Sequence, residues 1–166
     1  EFENFMRLLA GRVGQVLNLS SLANDLGVSS TTLKEWLSVL EASYLIFRLN
    51  PYFENIGKRV IKSPKLYFTE IGLASYLLGI EGADMAERDP LRGNLFENMV
   101  VIEALKARLN AGREPELYFY RDNKGNEIDI LLRKNRTLIP IEVKSAMTFN
   151  REFTKGITYF QKIYPS

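Results

Sequence analysis

Glu127-Ile128-Asp129-Ile130-Leu131-Leu132, followed closely by Leu138-Ile139-Pro140-Ile141-Glu142-Val143-Lys144, decides how this chain is read. Both runs are short, apolar and rich in isoleucine, valine and leucine, which predicts strands. Side chains alternate between the faces of a strand, so Glu142 and Lys144 project together while Ile139, Ile141 and Val143 project to the other side. With Asp129 in the neighbouring run, two carboxylates and an ammonium are offered to one point in space. That is a metal site in outline. The same Glu-Val-Lys face also fits a solvated edge strand, with Lys144 paired to Glu142 or Asp129 and no metal present.

Composition narrows the chemistry. Among 166 residues there is no histidine and no cysteine. Imidazole acid-base catalysis, a thiolate nucleophile, a disulfide framework and an ordinary structural zinc site are therefore excluded. Carboxylates, lysines, tyrosines and hydroxyls remain, and hard oxygen ligands select magnesium or manganese, the cations of phosphate chemistry. The lack of cysteine agrees with a reducing, cytoplasmic setting. No apolar stretch approaches the roughly 20 residues that span a bilayer, so no membrane association is expected. The chain opens at Glu1 already in a helical pattern and without methionine, which reads as a fragment of something longer.

The formal net charge of +2 does not announce a nucleic-acid partner. Residues 1–75 hold 8 basic and 7 acidic side chains and residues 76–166 hold 14 and 13, so any basic surface is local. The best candidate is Lys58, Arg59, Lys62 and Lys65, which equally fits a hairpin edge kept charged against aggregation.

Working outward, three strand-like runs (117–121, 127–132 and 137–144) form an antiparallel meander, with turn-rich loops at 122–126 and 133–136. Pro140 belongs at an edge or bulge, because it lacks a ladder donor. Phe153, Ile157, Phe160 and Tyr164 predict a covering amphipathic helix. Residues 95–109 are apolar on nearly every side of a helical projection and predict a buried helix. Glu103 there escapes along an edge or pairs with Lys106 or Lys134. Glu97, nearer the glycine-rich start, is the better candidate for the site, since a buried carboxylate needs a cation.

In the N-terminal half, Phe2, Phe5, Met6 and Leu9 predict a helix ending at Gly11 to Gly14. Ser20 or Ser21 caps a second helix broken at Gly27, and Ser29 or Ser30 caps a third with Leu33, Trp36, Leu37 and Leu40. Strands at 44–49 and 65–68 flank a turn at Asn55-Ile56-Gly57. Three helices and a hairpin make a winged helix-turn-helix. Its wing would carry the basic cluster to phosphates, while the recognition turn offers only Thr31, Thr32 and Lys34. Thr69 caps a helix over 70–78. The expected division is a winged-helix domain at 1–78, a linker at 79–92 and a second domain at 93–166, the last short of its C-terminal end.

Gly93-Asn94-Leu95-Phe96-Glu97-Asn98, Tyr118-Phe119-Tyr120-Arg121, Gly125-Asn126-Glu127-Ile128-Asp129 and Ile141-Glu142-Val143-Lys144 together resemble the restriction-endonuclease-like PD-(D/E)XK fold. The whole chain resembles the C-terminal region of bacterial and archaeal AAA-type P-loop ATPases that carry an accessory domain of unknown function. Pro64-Lys65-Leu66-Tyr67-Phe68 with Gly72-Leu73 is similar to the junction of that family, although Glu70 stands where aspartate is usual.

The resemblance implies an α/β (α+β) architecture, a winged helix followed by a nuclease-like domain with a mixed sheet flanked by helices. It implies a Mg²⁺- or Mn²⁺-dependent phosphodiesterase acting on DNA. Asp129, Glu142, the Val143 carbonyl and Glu97 would ligate the ion, and Lys144 would orient or deprotonate water. Arg121 and Lys124, with Lys134 and Arg136 if they face the same way, would meet phosphates. The Walker motif is absent, so ATP and the P-loop ATPase module belong to sequence N-terminal to this piece. Self-association stays open. A non-catalytic DNA-binding or protein-interaction module that targets the ATPase is the alternative, since a fold does not guarantee chemistry.

Overall fold

The computed structural model describes residues 1–53 and 61–164. Its first helix, α1 (Phe2–Ala10), buries Phe5, Met6, Leu9 and Ala10. The next, α2 (Leu19–Leu26), is capped by Asn18, whose side chain accepts the Ser21 N–H at 3.0 Å. The expected caps Ser20 and Ser21 lie inside the first turn instead. Gly27 closes α2 at φ 66°, a left-handed conformation that glycine adopts without strain. Ser29 then caps α3 (Ser30–Ala42) by accepting the Thr32 N–H at 3.0 Å. Leu33, Leu37 and Leu40 turn inward, and the Trp36 ring lies 5.1 Å from that of Phe5.

Strand β1 (Ile46–Leu49) pairs antiparallel with β2 (Lys65–Phe68), Ile46 opposite Phe68 and Leu49 opposite Lys65. The expected turn at Asn55-Ile56-Gly57 and the basic residues Lys58 and Arg59 lie outside the described residues. On either side of that gap the chain runs beside the second sheet, with Tyr52 N–H donating to the Phe119 carbonyl and Ile61 N–H to the Arg121 carbonyl.

Helix α4 (Ile71–Leu77) follows, but Thr69 does not cap it: its hydroxyl donates to the Tyr44 carbonyl, and Glu70 occupies the cap position without a side-chain bond. A short helix, α5 (Ala83–Arg88), lies within residues 79–92, the stretch expected to be a linker. Helix α6 (Arg92–Asn110) buries Leu95, Asn98, Val101, Ile102 and Leu105. It is not sheathed all round, because Phe96 and Met99 keep 36% and 43% of their surface. Asn98 is fully buried and clamps β2 edge-on, its carbonyl accepting the Phe68 N–H at 2.7 Å and its amide donating to the Phe68 carbonyl at 2.8 Å.

The second sheet has the order β3-β4-β5: β3 (Leu117–Arg121), β4 (Glu127–Lys134) and β5 (Thr137–Ile141), all antiparallel. The expectation of a mixed sheet is corrected. Connections this short can only fold a strand back on its neighbour, and the parallel pairing among the described residues is the isolated Pro51–Phe119 bridge. Register slips between β3 and β4, with Tyr118 opposite Leu131 but Tyr120 opposite Ile128. One extra residue therefore sits in β4, and Asp129 and Ile130 together face Phe119. A turn of 3-10 helix at Arg151–Thr154 leads into α7 (Lys155–Ile163), which packs Phe160 on Tyr120 with ring centres 5.3 Å apart.

The architecture is α+β, with three apolar clusters. One gathers α1 to α4 with Leu95, and another joins Tyr120, Ile128, Leu131 and Phe160 beneath α7. The middle cluster joins Leu49 and Tyr67 to Val101, Ile102, Phe119 and Ile130, drawing on both sides of residues 79–92. Substituting Asn98→Leu strands both Phe68 backbone groups in that interior, at about 1–3 kcal/mol for each buried group left unsatisfied. The expected result is a clear drop in the midpoint of chemical denaturation with an unchanged slope.

Candidate functional site

Strand β5 ends at Ile141, not at Lys144 as its apolar run suggested, and the reason lies in Asp129. Ile130 pairs with Ile141, so the next step of the ladder would set Asp129 against Glu142. The bulge turns that step aside. The Asp129 carboxylate itself accepts the Val143 N–H at 2.8 Å, a side chain taking over a ladder bond.

Beyond this point Glu142 and Lys144 share a side of the extended chain. The Lys144 ammonium lies 2.7 Å from Glu142 Oε2 and 3.2 Å from Asp129 Oδ2. The three residues that alternation placed together do meet. Ile141 and Val143 pack on the middle cluster, while Ile139 reaches the sheet edge and is partly exposed. Val143 enters the site through its N–H.

Glu97 projects from α6 towards the same group. Its Oε1 accepts the Tyr67 hydroxyl at 2.5 Å and the Lys65 ammonium at 2.9 Å. Lys65 reaches on to Glu127 Oε1 at 2.5 Å, and its Nζ lies 5.5 Å from the centre of the Phe119 ring. Glu127 in turn faces Arg121 at 3.5 Å. Lys65 was expected on an exposed basic hairpin, yet it is only 2% exposed. Its neighbours in sequence gave no hint of its two carboxylate partners, which come from residues 97 and 127.

The electrostatics follow from burial and crowding. Burial, and then the charge of Asp129, push the Glu142 carboxyl up to about 7 against the pull of Lys144. Glu97 is also raised, by burial first and by Asp129, against the pull of Lys65 and Tyr67. Burial works to lower Lys65, but Glu97 and Glu127 outweigh it and hold the ammonium above its ordinary value. Tyr67 is pushed well above its ordinary value by burial and by Glu97. Two carboxylates crowded together, one of them half-protonated near neutrality, are short of positive charge, and so their chemistry fits a hard divalent cation. Among the described residues, however, no three acidic side chains are gathered closely enough to hold a metal between them.

The candidate phosphate contacts scatter. Lys62 and Lys124 are exposed, Lys124 in a loop organised by Asp122, which accepts the N–H groups of Lys124 and Asn126 and the Tyr159 hydroxyl. Arg121 stands next to the site through Glu127. Lys134 and Arg136 are exposed at the opposite end of the β4-β5 hairpin from Asp129. Thr31 and Lys34 are exposed on the first turn of α3, where Thr32 is engaged with the Ser29 cap, and this helix packs on α2 and β1.

Residues 1–84 match the family described as domain of unknown function DUF8612. The chain belongs to that family. Residues 92–166 match a second domain of unknown function, DUF4143. An uncharacterized protein of Mycobacterium tuberculosis is 34% identical over 85% of this chain and 31% of its own length. Uncharacterized proteins of Haemophilus influenzae and Methanocaldococcus jannaschii are 28% and 29% identical, over 94% and 90% of this chain and 37% and 30% of their own lengths. The chain thus spans about a third of the length of the curated relatives it matches. No solved structure matches it.

Gly156, near the start of α7, is a further site residue that periodicity did not mark. A Cβ there would fall 2.5 Å from the Glu127 carbonyl and against the Glu142 carboxylate. Alanine for glycine within a helix ordinarily stabilises. Here Gly156→Ala is expected to destabilise by about 1–3 kcal/mol through overpacking, read as a lowered thermal midpoint with a loosened α7. Glu142 carries a pH signature. Its carboxyl in the folded chain titrates at about 7 against an ordinary 4.5, so between those values the folded chain holds a proton that the unfolded chain has released. Stability from this group is full below that window and falls as pH rises through it. In EDTA-containing buffer the wild-type melting midpoint should drop between about pH 5 and pH 7.5 by more than that of Glu142→Gln, whose side chain does not titrate. Equal drops would refute the assignment.

Proposed function

We infer that the Asp129, Glu142 and Lys144 cluster, with Glu97 behind it, is a divalent-metal-dependent phosphodiesterase site acting on DNA, in the accessory region of an AAA-type ATPase. The observation that carries this reading is the convergence on one ammonium of two carboxylates, one from β4 and one from just past the end of β5, next to a largely buried glutamate on α6. In this reading α1 to α3 with β1 and β2 are a winged helix, and α6 with the three-stranded sheet is a nuclease-like fold. DUF4143 often accompanies AAA-type ATPases, which supports the wider setting.

Asp129 and Glu142 would hold a Mg²⁺ or Mn²⁺ ion. Such an ion, when bound, lowers the pKa of coordinated water towards neutrality and offsets charge on the phosphate. Lys144, with 38% of its side chain exposed, can swing from between the two carboxylates towards solvent and orient water or a phosphate oxygen. Burial of Asp129 beneath the Val143 N–H fixes one carboxylate so that only the outer part of the cluster needs to rearrange. In this reading Arg121, which reaches the cluster through Glu127, would be the cation nearest an incoming phosphate.

A second reading is favoured by one feature. Lys144 already bridges both carboxylates, which is how a closed ion-pair cluster in a non-catalytic DNA-binding or protein-interaction module would look. Incubation of the purified chain with supercoiled and linear DNA separates the two. Cleavage that requires Mg²⁺ or Mn²⁺, is abolished by EDTA and falls by more than about a hundredfold in both Asp129→Ala and Lys144→Ala is the expected result. DNA binding that is salt-sensitive and indifferent to Asp129→Ala, without cleavage, would leave the binding module instead.

A further inference from the structure

Resting on the metal-dependent reading above, we propose that Lys65 is a resident cation of the site. Its ammonium holds the place between Glu97 and Glu127 that a second divalent ion would otherwise take. The site therefore binds one ion, at Asp129 and Glu142, and Glu97 is not among its ligands. Lys65 and Tyr67 act on the ion only through the carboxylates they hold, so both are positioning residues. Both also lie within the segment that matches DUF8612, which makes that segment part of the site that residues 92–166 were expected to build alone.

Four observations converge on this. The Lys65 ammonium contacts both carboxylates, at 2.9 and 2.5 Å, from a side chain only 3% exposed. The contacted oxygen of Glu97 also takes the Tyr67 hydroxyl, and the other oxygen of Glu127 takes Arg121, so fixed donors are committed to the pair. Lys65 cannot withdraw, because it belongs to the buried strand β2, paired to Leu49 and capped above by the Phe119 ring. The contrast with Lys144 is one of access. That ammonium also bridges two carboxylates but does so from an exposed segment past the end of β5, where an incoming ion can displace it. A lysine sealed in place supplies a single positive charge at every metal concentration, and it keeps Glu97 and Glu127 from repelling one another apart when no ion is present.

The test is a Mn²⁺ titration of the whole chain, followed by the electron paramagnetic resonance signal of the free ion, for wild type, Glu97→Gln, Lys65→Met and the Lys65→Met/Glu97→Gln pair. Wild type should bind one ion, Lys65→Met two, and the pair one again. Glu97→Gln alone should leave the affinity for the single ion within about threefold, whereas a ligand or an essential support of the ion would cost about 10- to 100-fold. Lys65→Met leaves two partly buried carboxylates without their cation, so it should melt early in EDTA and regain its midpoint in millimolar Mn²⁺. If it cannot be folded even then, the proposal fails on that arm, and the Glu97→Gln affinity still judges it independently. Two ions on wild type, no extra ion on Lys65→Met, or a tenfold loss in Glu97→Gln would each overturn it. No ion on wild type but one on Lys65→Met would uphold the role of Lys65 while removing the metal reading of Asp129 and Glu142.

Discussion

A single ammonium, buried between Glu97 and Glu127, ties together β2, α6 and β4. Burying such a charge is unfavourable unless several donors and acceptors satisfy it, and removing the lysine would leave its two carboxylates uncompensated, at about 3–5 kcal/mol. The arrangement is therefore demanding in geometry, and the surrounding contacts meet that demand. Asn98, the residue after Glu97, holds β2 edge-on to α6, and Leu49 and Phe119 close off the aliphatic stem. The two halves of the chain are joined by directed polar bonds as well as by apolar area. Directed bonds fix register where apolar contact alone tolerates sliding.

The same logic governs the end of the second sheet. A regular ladder would carry β5 on to Lys144 and leave Asp129 pointing along a uniform strand. The extra residue in β4 breaks the ladder at that level, and the Asp129 side chain recovers the lost bond by accepting the Val143 N–H. Past the end of the ladder, Glu142 and Lys144 gather with Asp129, and Gly156 lets α7 close down on the Glu127 carbonyl behind them. The site is thus a by-product of a ladder that stops early, which is a common setting for side chains that must be re-aimed.

What local pattern encodes could be read from the sequence, and what depends on a distant partner could not. The alternation that sets Glu142 beside Lys144 is a property of three consecutive residues, and the Ser29 cap and the Gly27 break are properties of one turn. Lys65 reads as a surface residue because a lysine is buried only with partners, and its partners stand 32 and 62 positions away. Asn98 looked like an ordinary polar position on a helix because its ligands are the backbone of a strand. The early end of β5 and the role of Gly156 each depend on register between strands or on the approach of a helix, which no single segment specifies. On α6 an apolar helical projection predicted burial all round, yet only one side is opposed by strands, and Phe96 and Met99 are left outside.

The two lysines give the cluster its polarity. At the inner end Lys65 and Tyr67 share one carboxylate oxygen of Glu97, and displacing that lysine would have to dismantle β2. At the outer end the charge balance is incomplete. Asp129 and Glu142 share one partly exposed ammonium, and burial, with the charge of Asp129 added, raises the Glu142 carboxyl to about 7. A proton relieves the repulsion at one carboxylate alone, whereas in the proposed reading a divalent ion would be shared by both and would leave Lys144 to face a phosphate. On the proposed reading, exchange would be confined to the face where Lys144 meets solvent, and the buried network behind it would hold that face in one geometry.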